Sequence, residues 1–198
     1  MARTDRMNPW WTFIAFILLT GLIAIWFLIP RQVLEQTRIM DRQQMASLAG
    51  DNANHWVNSK ASESMEEFSR ELAKSVKSFE ITDELRVWLL DRIYVTLLWS
   101  DIVLYRMYSF TLWVLIALPF MLAASSDGVL IREIRKNMFI SQSPLRLSIG
   151  ANLFLLSLAL LLLWLFMPFP LPAILAPILI LLVAFSLWMW MANIQKRI

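Results

Sequence analysis

Three stretches of this chain carry no charged side chain: residues 7–30, 107–126 and 147–195. A hydrocarbon core about 30 Å thick is crossed by roughly 20 apolar helical residues. The first two stretches therefore suit one crossing each. The third, at 49 residues, suits two, with Pro168, Pro170 and Pro172 where a turn between them falls. In lipid every backbone amide has to be satisfied within the protein, so spans this apolar are helices. The expected fold is an all-α integral membrane protein with four transmembrane helices, at 10–29, 103–124, 149–167 and 173–192. A helical extracytoplasmic segment, 30–102, is inserted between the first and second. The remaining pieces are an N-terminus (1–9), a basic loop (125–148), a Pro-rich turn (168–172) and a C-terminus (193–198).

The hydrophobic share of 59% and the four glycines agree with a small helical membrane protein. Cysteine is absent, which removes disulfides, thiol catalysis and cysteine metal sites together. Arg3 and Arg6 precede an apolar run longer than a signal-peptide core, and no small-residue cleavage site follows, so the first span reads as a retained anchor. Lysine and arginine in short loops set orientation. Arg132, Arg135, Lys136 and Arg146 lie between the second and third spans, and Lys196 and Arg197 end the chain. With four spans these and Arg3 and Arg6 share one side, so both termini are expected in the cytoplasm.

The outer segment carries ten Lys/Arg and twelve Asp/Glu between residues 31 and 106. Its composition is helical, with Gly50 as a stop, 51–54 as a turn, and a kink expected at Pro30. Ser64 and Glu67 have the spacing of a capping box. Behind them Met65, Phe68, Leu72, Val76 and Phe79 form an apolar stripe, a packing face against neighbouring helices, the lipid surface or a partner. Trp88, Trp99, Tyr105, Arg106 and Tyr108 are placed as interfacial anchors, the arginine stem snorkelling to water.

No constellation for chemistry emerges. Asp101 and Arg106 are the nearest to intramembrane charges, and the edge of a span makes them anchors before a proton relay. His55 is the single histidine, too few for a histidine metal site or triad. No phosphate loop, nucleophile elbow or paired-histidine zinc motif is present. The chain reads as non-enzymatic and without a cofactor. The most informative polar stretch is 125–144. Asp127 there would cap a short helix, with Arg132, Arg135 and Lys136 on one face and Leu130, Ile134 and Met138 on the other. Such a helix suits an anionic membrane surface or a cytoplasmic partner, whereas direct nucleic-acid binding is not expected.

The Asp127-Gly128 pair at the end of a span, Arg132 and Arg135 at i, i+3, and the serines at 141 and 143 resemble a family of membrane proteins of integrating conjugative elements and conjugative plasmids, encoded near the coupling-protein ATPase. The similarity is strongest over 110–143. After the serines this chain has Pro144-Leu145-Arg146-Leu147-Ser148 in place of a tyrosine–histidine-rich stretch. The resemblance implies a non-enzymatic scaffold or accessory subunit of a conjugative DNA-transfer (type IV secretion) apparatus in the bacterial inner (cytoplasmic) membrane. Asp127, Gly128, Arg132, Arg135, Lys136 and Ser143 then form an interface to membrane lipids, a coupling-protein ATPase or secretion-channel subunits. A homo-oligomer is compatible with the same sequence. So are a small transporter or pore, although only Asn152, Ser157, Ser186 and Asn193 supply polar groups to the last two spans, and an exclusion or immunity factor of a mobile element. Residues 158–165, nearly all leucine and alanine, set no crossing face of the small-xxx-small kind.

Overall fold

The computed structural model describes residues 9–76, 83–138 and 144–194. These form six helices in chain order: α1 (Pro9–Leu28), α2 (Arg31–Ala49), α3 (Asp51–Val76), α4 (Asp83–Asn137), α5 (Pro144–Phe166) and α6 (Leu175–Asn193). Stretches within α4, α5 and α6 are long and apolar enough to cross a membrane: Val87–Asn137, Leu145–Phe166 and Leu175–Asn193. That is the make-up of a multi-pass membrane protein.

The helix boundaries differ from the sequence expectation in ways that have local causes. Pro30 stands at the N-cap of α2 with extended backbone, so the chain breaks between α1 and α2. Gly50, at φ 84°, closes α2 by returning its amide to the Ala46 carbonyl. α3 starts at the very next residue, so 51–54 is the first turn of a helix and not a loop. The expected capping box is also displaced: Ser64 and Glu67 lie well inside α3, where backbone amides are already bonded to carbonyls four residues earlier. α4 is continuous for 55 residues, through Pro119, and has no break at 103 or at 125. At 1.5 Å per residue it is about 80 Å long, more than twice a bilayer core. Asp127 is therefore an interior residue of α4 and not a cap, and the expected basic loop is helical as far as Asn137. Ser141 and Ser143 lie outside the described residues.

Helix α6 lies between α4 and α5 and packs closely on both. The close approach is set by two glycines. A Cβ on Gly128 would meet the Trp188 carbonyl oxygen at 2.9 Å, and one on Gly150 the Trp190 backbone nitrogen at 3.0 Å. With Gly150, the buried Ser157, Leu161 and Trp164 complete the packing side of α5. A crossing face thus exists in the leucine-rich helix, carried by glycine, serine and tryptophan at near-heptad spacing.

The other helices pack along the first half of α4. Leu34 of α2 joins Val95, Leu98, Trp99 and Ile102, and Met45 joins Tyr105. α2 therefore runs parallel to α4, and α3 returns antiparallel to it, with Val57 and Ala61 completing the cluster at Tyr105. Of the expected packing stripe on α3, Met65, Phe68 and Leu72 are half-buried. The side chain of Val76, and Phe79, lie outside the described residues.

Candidate functional site

The Pro-rich turn creates the problem that this site solves. The last carbonyls of an α-helix have no partner within the helix. Pro168, Pro170 and Pro172 have no N–H to offer the end of α5. Donors arrive instead from distant helices. Arg106 of α4 donates to the carbonyls of Trp164 (2.9 Å), Phe169 (2.8 Å) and Met167. Trp99 Nε1 donates to the Phe166 carbonyl at 3.0 Å, and Thr37 Oγ1 to that of Pro168 at 3.1 Å. Gln44 Oε1 in turn accepts the Ala173 amide at 2.7 Å.

Arg106 is the centre of this layer. It is 2% exposed. Its Nε and Nη2 form a fork on the Asp41 carboxylate at 2.7 and 3.3 Å. With the three carbonyls, all five guanidinium N–H donors are used. The cation also lies 5.6 Å from the centre of the Trp164 ring. A lysine has neither the fork nor the number of donors to replace it. Burial pushes the Asp41 carboxyl above its ordinary range, although the hydrogen bonds and charge of Arg106 pull it down. A small cavity beside the pair is lined by Asp41, Arg106, Ser109 and Trp164.

A second arginine repeats the device. Pro30 follows α1 as the prolines follow α5, and Arg92 Nη1 donates to the carbonyls of Trp26 (3.1 Å), Phe27 (3.0 Å) and Ile29 (3.5 Å). Arg92, Trp99 and Arg106 are seven residues apart and so share a stripe of α4. Each donates into the proline-terminated end of another helix. A third charged group, Asp101, accepts Arg42 Nη2 at 3.2 Å and lies 2.8 Å from Arg38 Nε.

These placements revise the anchor assignment. Trp99, Tyr105 and Arg106 are buried in protein, and Arg106 does not snorkel outward. Tyr105 donates to Asn54 Oδ1 at 2.6 Å, and the Tyr108 hydroxyl bonds Ser64 at 2.8 Å. Trp88 is exposed and stacks on Phe27. Asp41, the essential partner, did not stand out in the sequence. Its signal was available: Leu34, Thr37, Asp41 and Met45 recur at helical spacing, so an acid and a threonine lie in the buried stripe of α2.

The opposite end of α4 is also tied down. Asp127 Oδ2 accepts Trp188 Nε1 at 2.7 Å, Gly128 seats α6, and Arg135 Nη1 donates to Asn193 Oδ1 at 3.2 Å. Three of the six expected interface residues thus hold α6 in place. Arg132 is half-buried and Lys136 exposed, and Leu130, Ile134 and Met138, on the opposite face, are exposed as well. Among the described residues no group of three His, Cys, Asp or Glu could hold a metal ion.

Residues 31–195 match the DtrJ-like family, described as IncC plasmid conjugative DNA transfer protein DtrJ-like. The chain belongs to that family. The match takes in α2 to α6 and therefore both ends of α4. No curated protein and no solved structure matches the chain.

Proposed function

We propose that this member of the conjugative DNA-transfer family is a non-enzymatic scaffold subunit of the bacterial inner membrane. It crosses the membrane four times with both termini in the cytoplasm. The observation that carries the reading is α4, a single helix bonded at one end to the α2–α3 hairpin and presenting basic and apolar side chains at the other. The charge asymmetry supports a periplasmic first end and a cytoplasmic second end. α1 serves as the fourth span: it carries no charged residue, and its Ile17, Gly21 and Ile25 share a cleft with Ala159, Leu160, Leu162 and Leu163 of α5. Arg132 and Lys136, on one face of the helix, form the cytoplasmic contact, and a coupling-protein ATPase is its partner.

A scaffold is favoured over a pore by the fate of the polar groups. The hydroxyls of Ser157 and Ser186 bond to carbonyls of their own helices at 2.7 and 2.8 Å, and both residues are fully buried between helices.

The test is plasmid transfer combined with crosslinking in mating cells. Charge reversal at Arg132 and Lys136 should lower transfer without lowering the amount of protein in the membrane. A photocrosslinker at the exposed Val129, one turn before Arg132 on the same face, should capture the ATPase. Normal transfer by the double variant would sink the interface assignment.

A further inference from the structure

A cavity of about 280 Å³, largely open to the surface, lies between α2, α3 and α4, lined by Arg38, Arg42 and Asp101 and by Asn58, Ser62, Met65 and Ser69 of α3. Its charges do not balance. Both guanidinium groups converge on the same oxygen of Asp101, Arg42 through a hydrogen bond and Arg38 at ion-pair distance. The buried Nε atoms of Arg38 and Arg42 make no hydrogen bond. Glu66, also at the wall, already receives Arg70 Nη2 at 2.5 Å, so its charge is matched. One positive charge is left facing the cavity. Burial pulls Arg42 below its ordinary value, the Asp101 charge opposes the fall, and repulsion from Arg38 adds to it.

We propose that this cavity binds a phosphate-class oxyanion between the guanidinium groups of Arg38 and Arg42. The two arginines are one helical turn apart on α2, so their donors converge from two directions on one group. Planar forks of this kind form the strong, charge-assisted bonds that phosphate oxygens accept. The Asn58 Oδ1 atom is buried without a donor. Turning that amide over places its NH2 there as a further donor. Ser62 and Ser69 now bond to carbonyls of α3 at 2.9 Å each and can rotate toward a stronger acceptor. The anion separates two like charges and accepts from the terminal Nη groups of the two side chains, which are 42% and 27% exposed. The phosphate comes from a phospholipid headgroup or from solution, and the experiment separates these sources.

The full chain, purified in detergent and stripped of lipid, is titrated with inorganic phosphate against chloride at matched ionic strength, with thermal unfolding as the readout. In parallel it is placed in nanodiscs of phosphatidylglycerol and of a phosphate-free galactolipid. The expected result is a higher unfolding temperature with phosphate, or with phosphatidylglycerol over galactolipid. Arg38→Gln and Arg42→Gln should each weaken the response about tenfold, the loss of one charge-assisted contact. Arg31→Gln removes an equal charge from α2 away from the cavity and should leave the response intact. A response to inorganic phosphate assigns the free anion, and a response to the phospholipid alone assigns the headgroup. No response of the wild-type chain to either, or one that survives both cavity substitutions, overturns the proposal.

Discussion

Arg106 shows how much one side chain can hold when its donors match the acceptors around it. Removing one partner of a buried ion pair typically costs about 3–5 kcal/mol, because the other charge stays buried. Arg106→Ala also strips three carbonyls of their donor. It should fall at or above the top of that range in a detergent unfolding assay, and Arg106→Lys should recover only a small part. The Asp41 carboxyl has a folded pKa above its unfolded one. Its own contribution to stability is therefore fully present below the unfolded value and is lost as pH rises through the folded value. Between pH 7 and pH 4 the unfolding temperature of the wild type should rise relative to that of Asp41→Asn, and a relative fall would contradict an upward shift of the Asp41 carboxyl. Gly128 is a different kind of single-residue constraint. Its missing Cβ admits the Trp188 carbonyl, so Gly128→Leu must push α6 away. Overpacking of this sort costs about 1–3 kcal/mol, and an unfolding temperature equal to wild type would show that α6 is seated elsewhere.

Among the helices, α4 organises the rest, because Arg92, Trp99 and Arg106 on one stripe supply donors to the ends of α1 and α5. Most of the element content was legible. Apolar length marked α4, α5 and α6, and Gly50 and the prolines marked the breaks. Several boundaries were not. Ser64 and Glu67 have the right spacing for a cap, yet a cap is needed only where amides are free, and α3 had already begun at Asp51. Asp127 looked like a helix start for the same reason and turned out to accept a tryptophan N–H from α6. Arg92→Ala should leave α4 helical but free the end of α1. Hydrogen exchange across residues 26–33 should rise while exchange within α5 stays unchanged, and equal exchange in both proteins would remove Arg92 from this role.

Taken together, the helices form two joined parts: α5 and α6 packed on the second half of α4, and the α2–α3 hairpin packed on its first half. The turn 168–172 lies at the junction, which is why its carbonyls meet side chains of both α2 and α4. In the proposed four-span topology, cysteines at Ser59 and Lys136 should be labelled from opposite sides of the membrane by an impermeant reagent. Labelling of both from one side would refute that topology. Hydrophobic length and helical period are properties of neighbouring residues, so helix content, membrane character and the breaks at Gly50 and the prolines could be read along the chain. The partners of Arg106, the use of Gly128 as a seat for α6 and the continuity of α4 could not. A buried donor is satisfied by whichever carbonyl or carboxylate packing brings to it, and for Arg106 those groups lie about sixty residues away in either direction.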